Sequence, residues 1–192
     1  MAGRQAKTLA PQQQDVLLQH VRGRRDALRS RVIILLSFRA GMRACEIARV
    51  EWSMLLDSAG KVAHSIELED RIAKKKSGRR IPIHSELRAA LNALLRRTPN
   101  ATGPVIKSRK GGRMRPNSIV NWFVQIYAEL SLPGCSSHSG RRTFITTSAR
   151  NLQASGGSLR DIQILAGHKS LLTTQAYIEG SSAAQRKLVS LL

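Results

Sequence analysis

Residues 165–180 read LAGHKSLLTTQAYIEG, with a histidine, His168, nine positions before Tyr177, one of two tyrosines in the chain. The preceding residues, SLRDIQILAGH (158–168), have a serine start, an apolar stripe and a glycine stop, the signature of an amphipathic helix. His168 then falls in the turn after that helix, and Tyr177 falls in a further short helical piece over 173–180. A free phenol has a pKa of about 10, so roughly one in a thousand is ionised at pH 7. Tyr177 is therefore a packing residue unless distant segments bring groups that make its oxygen reactive.

Composition narrows what those groups would act on. The 192 residues suffice for one domain, or two small ones, with a buried core. Thirty-two Lys and Arg against twelve Asp and Glu give a formal charge of +20, a field that attracts polyanions. Aromatic residues are 4% and do not alternate with the basic ones, which argues against the stacking platforms of single-strand binders and favours double-stranded DNA held by its phosphates. The longest apolar run, VIILL (32–36), is too short to span a bilayer, so no membrane role is expected. The segment MAGRQAKTLAPQQQ lacks a secretory h-region, and Cys45 and Cys135 have no neighbours at zinc-ligand spacing. A cytoplasmic, reduced, metal-free protein is expected.

Periodicity predicts a mainly α chain with a small antiparallel β-sheet, an α+β class. Residues 1–14 read as a short polar arm. Two helices are expected between Asp15 and Val50, with a turn at Gly41 and a short helix after it. VAHSIELED (62–70), IAKKK (72–76) and RRIPIH (79–84) read as strands, with Ser77-Gly78 as a hairpin turn. Helices are expected over 85–97 with a Ser85 cap, over 117–130 with an Asn or Ser cap, and from His138 to about 153. SSAAQRKLVSLL (181–192) reads as a last helical piece, docked either on its own domain or on a neighbouring subunit.

Three further stretches carry polar groups suited to an anionic oxygen. In HSGRR (138–142), His138 and Arg141 are three apart and share one face of a helical turn, although the stretch read alone is better taken as an exposed basic turn. In AGMRACEIARV (40–50), Arg43 follows the Gly41 turn and Glu46 follows three later, where it orients Arg43 or caps the helix. Cys45 beside them has no local base and reads as packing. IAKKKSGRRIPIH (72–84) puts five basic residues on a strand and turn, a hairpin facing DNA.

Taken in order, GMRACEIARVEW, KKKSGRRIPI, HSGRRTFITT and LAGHKSLLTTQAY resemble the motifs of the tyrosine recombinase, or phage integrase, family over about residues 38–178. The resemblance implies a catalytic-domain fold in which Tyr177 attacks a DNA phosphodiester and forms a 3′-phosphotyrosyl link. It implies that Arg43 and Arg141 bind the non-bridging oxygens and that His138 accepts a proton or hydrogen bond at the phosphate. His168 would donate to the scissile phosphate, and Glu46 would orient. A lysine would protonate the leaving 5′-oxygen. Lys74, eight residues before Pro82, is preferred, and Lys76, which opens a K-S-G sequence, is the alternative. Lys75, Lys76, Arg79, Arg80, Arg113 and Arg115 are expected to contact DNA.

The same resemblance implies strand exchange within a homo-tetramer on duplex DNA, without metal, ATP or other cofactor, and with accessory proteins as further partners. It implies a bacterial or phage-encoded, nucleoid-associated protein that integrates, excises or inverts a mobile or phage element. Residues 15–192 are expected to form the catalytic domain, without the separate N-terminal domain that most members carry. Two other readings remain: a catalytically silent DNA-binding regulator, and a type IB topoisomerase-like enzyme that relaxes supercoils.

Overall fold

The computed structural model describes residues 5–73, 77–177 and 189–190. Its centre is the helix α2 (Ala27–Phe38), whose residues Val32–Phe38 are all buried. A helix apolar on every side needs neighbours all round. It finds them in α1 (Pro11–Arg22), α3 (Ala44–Arg49), α4 (Ser85–Leu95) and α6 (Ser139–Arg150). The helix α5 (Pro116–Glu129) covers α3 and turns Ile119, Phe123 and Ile126 inward. Trp52 fills the core from a short turn of helix (Trp52–Met54), while Trp122 packs at its edge. The described chain then continues through α7 (Leu152–Ser155), α8 (Leu159–Ala166) and α9 (Leu171–Gln175). Tyr177 sits in the turn after α9, with its N–H donating to Thr174 O.

The N-terminal segment is less of an arm than its polarity suggests. Leu9 is buried and its N–H donates to Thr143 Oγ1 of α6 at 2.9 Å, and α1 starts at Pro11, before the expected end of the arm at residue 14. Proline at the first helical position costs no hydrogen bond, since that N–H has no partner within the helix. Two caps also differ from expectation. His84, through Nδ1, accepts the Glu86 N–H at the start of α4, so Ser85 is the first helical residue. Proline again opens α5, after Arg115.

The sheet has two described strands, β1 (Ser65–Leu68) and β2 (Arg79–Pro82), paired antiparallel with Ile66 opposite Ile81 and Leu68 opposite Arg79. The expected strand at 72–76 with a two-residue turn at 77–78 is therefore corrected over its described residues, 72–73 and 77–78, with 74–76 lying outside them. β1 pairs with β2 directly, and Ile72 and Ala73 donate their N–H groups to Glu69 O in a turn. Gly78 closes that connection by donating its N–H to Asp70 Oδ1 at 2.7 Å, and a Cβ on Gly78 would lie 2.7 Å from Leu68 O. Side chains alternate across a strand. With Ile81 facing the core, Arg79 must face it too, and Arg80 must face out.

The active face depends on how closely α6 approaches α2. A Cβ added at Gly140 would stand 2.2 Å from Ser37 Oγ, 2.8 Å from Ser37 Cβ and 2.9 Å from Phe38 Cδ2. Gly140→Ala should raise helix propensity yet destabilise the domain by about 1–3 kcal/mol, because the two helices must part. Chemical denaturation at neutral pH measures this, and equal or greater stability would contradict the close packing.

Candidate active site

The site is organised by the end of α8. The last carbonyls of a helix lack partners within it. Here all four are satisfied. Gln163 O accepts from the His168 N–H at 3.0 Å and Ile164 O from the Gly167 N–H at 2.9 Å. Leu165 O accepts from Arg79 Nε at 2.7 Å, and Ala166 O accepts from Arg141 Nη2 at 2.6 Å. The chain can leave the helix this way because Gly167 is left-handed, with φ of 62°, and a Cβ there would lie 2.9 Å from Arg79 Nη1.

Arg141 joins three of the stretches singled out in the sequence. It stands in the first turn of α6, just after His138, and is 3% exposed. Besides Ala166 O, it donates from Nη1 to Gly41 O at 2.7 Å, in the turn that leads to Arg43. Gly41 has φ of 61°, and its backbone is held against the Phe144 ring of α6. Two bonds to carbonyls leave donors of the five-donor guanidinium for a ligand. Burial above all, then repulsion from Arg43 and Arg79, lowers the Arg141 pKa to about 9, against attraction to Glu46 and Tyr177. It remains cationic at neutral pH. His138 precedes it as the exposed residue at the N-terminus of α6, where the helix dipole favours an anion.

Arg43 is held from below by Glu46, which is fully buried. Glu46 Oε2 accepts the Arg43 backbone N–H at 2.9 Å, and Oε1 accepts from Arg43 Nη1 at 3.0 Å. The carboxylate thus both caps α3 and fixes the guanidinium. Its other partner is Arg79, paired two-to-two at 3.1 and 3.0 Å. Burial opposes ionisation of Glu46, but the hydrogen bonds and attraction of Arg79 and Arg43 outweigh it and hold its pKa below the usual value. Arg79 was expected to contact DNA from the hairpin. It points inward instead, because Glu46 and the α8 carbonyl require a cation there. Strand alternation anchored on Ile81 was the signal in the sequence that could have placed it.

Beyond Gly167, His168 is half-buried and stacks on Tyr177, with ring centroids 5.5 Å apart and planes at 24°. Its Nδ1 lies 2.9 Å from Thr174 Oγ1. Burial, followed by repulsion from Arg141, Arg43 and Arg79, lowers the His168 pKa to about 4, so the ring is neutral at physiological pH. Tyr177 is itself half-buried and packs on the small cluster of Ile145, Ile162 and Ala166. Four segments distant in sequence thus converge. Of the remaining expected residues, Arg80 is exposed and paired with Glu67, Arg113 is exposed and paired with Glu51, and Arg115 is exposed at the start of α5. Lys74, Lys75 and Lys76 lie outside the described residues, as does most of the C-terminal piece.

Residues 7–183 match the phage integrase family. The chain belongs to that family. A tyrosine recombinase XerC from Lactobacillus delbrueckii subsp. bulgaricus is 30% identical over 152 residues, covering 78% of this chain and 50% of its own length. A second XerC, from a Methylobacterium species, is 34% identical over 116 residues, 58% of this chain and 35% of its own. This integrase-family chain spans half or less of the length of those relatives. Among solved structures, the Tn1549 transposon integrase in complex with a circular intermediate DNA aligns with a TM-score of 0.74 and 16% identity, over 100% of this chain and 67% of that one. XerA recombinase aligns with a TM-score of 0.73 and 20% identity, over 100% and 65%. The shared fold is that of tyrosine recombinase catalytic domains.

Removing Glu46 would leave two cations without their buried counter-ion. Glu46→Ala should destabilise this integrase-family domain by about 3–5 kcal/mol at neutral pH. Because the folded pKa of Glu46 lies below its ordinary value of 4.5, its contribution is full above that value. The contribution is lost as pH falls through the lower folded pKa, so the gap between wild type and variant should close in acid. Urea unfolding at neutral and acid pH tests both parts.

Proposed function

We propose that this chain cleaves and rejoins duplex DNA as part of a site-specific recombinase, with Tyr177 as nucleophile. The observation that carries the reading is the gathering of Arg43, Arg79, Arg141 and the stacked pair His168 and Tyr177 from four segments into one cationic cluster. Arg141 feels both Arg43 and Tyr177, and His168 feels Arg141, Arg43 and Arg79. Arg79 and Arg141 satisfy carbonyls of the fold, but these bonds need no charge, and one buried carboxylate, Glu46, leaves three neighbouring guanidinium groups incompletely neutralised. An incoming phosphodiester supplies the missing negative charge.

In the reaction, the Tyr177 oxygen attacks phosphorus and the bond to the leaving 5′-oxygen breaks. The phenolic proton passes to an acceptor at the phosphate, assigned to His138. The leaving oxygen takes a proton from the hairpin lysine, Lys74 in preference to Lys76. Charge on the non-bridging oxygens grows in the five-coordinate transition state, where donors from Arg43 and Arg141 are already fixed by Glu46 and by carbonyls. Preorganised donors of this kind are worth on the order of 10²–10³ in rate each. The 3′-phosphotyrosyl link conserves the bond energy, so attack by another 5′-hydroxyl rejoins the strand. Exchange between two duplexes in a tetramer, serving a mobile or phage element, is the proposed setting. The charge of +20 supports duplex DNA as the partner.

A nicked suicide duplex, which loses its short 5′ fragment on cleavage, should trap wild-type protein covalently. Tyr177→Phe should abolish the adduct while leaving duplex affinity nearly unchanged. Retained affinity without any wild-type adduct would favour a silent DNA-binding regulator. Replacing the leaving oxygen with sulfur removes the need for an acid, so that substrate should rescue Lys74→Ala. Rescue of Lys76→Ala alone would move the assignment to Lys76.

A further inference from the structure

His168 is neutral at physiological pH, and a neutral imidazole carries one proton on either of two nitrogens. Only one arrangement supplies a donor on the side away from Thr174. The tautomer is therefore a functional variable, and a neighbour of the ring decides it.

That neighbour is Thr174. Its side chain is fully buried in α9, within the segment that runs from His168 to Tyr177. A buried hydroxyl hydrogen left without an acceptor costs about 1–3 kcal/mol. Among the described residues, the partner of Thr174 Oγ1 is His168 Nδ1, at 2.9 Å. If Nδ1 carried the proton, it would donate to Oγ1 and the hydroxyl hydrogen would have nowhere to go. If Nδ1 is bare, the hydroxyl donates to it and both atoms are satisfied. The rest of the loop removes the freedom to escape this choice. Gln163 Nε2 donates to His168 O at 3.0 Å, the His168 N–H donates to Gln163 O, and the ring face is covered by Tyr177.

We infer that Thr174 is a positioning residue: its hydroxyl donates to His168 Nδ1, holds the proton on Nε2, and so presents an N–H donor to the phosphate oxygen. The catalytic half of this inference rests on the strand-cleavage reading above, whereas the tautomer can be measured without DNA. A hydroxyl at this position serves the site at one remove, since Thr174 touches the imidazole and not the substrate. It also links the nucleophile's own helical turn to the donor, because the Tyr177 N–H bonds to Thr174 O.

Long-range proton–nitrogen NMR on the DNA-free protein identifies the tautomer of His168. Wild type should show the Nε2–H form, Thr174→Ser should keep it, and Thr174→Val, which preserves shape but removes the hydroxyl, should shift the ring toward Nδ1–H or a mixture. On the suicide duplex, Thr174→Val should slow covalent trapping by about 10–100-fold, the range for losing a hydrogen-bonded partner that orients a metal-ligating imidazole, with duplex affinity unchanged. Thr174→Ser should restore the rate. Thermal unfolding of both variants separates this from general loss of fold. An Nδ1–H ring in wild type, or an unchanged Nε2–H ring in Thr174→Val, overturns the inference. So does a shifted tautomer with a wild-type trapping rate. If wild type forms no adduct, the cleavage reading fails, while the tautomer measurement still decides what Thr174 does to His168.

Discussion

The site depends on four carbonyl oxygens at the end of α8. A helix that stops inside a protein must find donors for these atoms, and this one takes two from its own turn and two from arginines elsewhere in the chain. Arg79 comes from the sheet and Arg141 from α6, so satisfying the helix end also ties both elements to the turn that carries His168. The same two arginines reach back to the region of Arg43, Arg79 through Glu46 and Arg141 through Gly41 O. Backbone hydrogen bonding, which every helix terminus requires, thus becomes the device that brings distant side chains to one place.

This arrangement concentrates positive charge, and the fold contains the consequence with a single buried carboxylate. Glu46 is ionised because Arg79 and Arg43 surround it, and it in turn allows those cations to stand near Arg141. The neutralisation is incomplete. Burial and neighbouring cations pull Arg141 well below its ordinary pKa and lower that of His168, so its ring is neutral near pH 7. Such incomplete neutralisation suits the proposed function, in which an anionic phosphodiester would relieve the repulsion. Under the proposed function, a neutral imidazole would donate a hydrogen bond without adding a further cation beside Arg43, Arg79 and Arg141.

Much of this was legible beforehand, for identifiable reasons. The glycine stop after SLRDIQILA, the apolar run of α2 and the amphipathic α4 and α5 are local patterns, and the described helices stand within a few residues of where periodicity puts them. Gly41 and Gly167 read as turns, and both adopt positive φ. The turn at Ile72 and Ala73 was not legible locally, because the register is set by Ile66 meeting Ile81 across the pair. The burial of Arg79 was not legible for a related reason. A basic residue in a basic hairpin suggests solvent, and only the buried partner Glu46, 33 positions earlier, reverses that inference.

By itself the sequence determined the class of fold, the glycine turns at Gly41 and Gly167, the cationic character and the identity of the candidate groups, because periodicity, glycine and composition act over short distances. Tertiary structure alone decided which arginine is buried, which carbonyls hold Arg141, that His168 is neutral, and that Thr174 stands against its ring. Those properties arise from desolvation and from hydrogen bonds between segments far apart in the chain, and they exist only once the helices have packed.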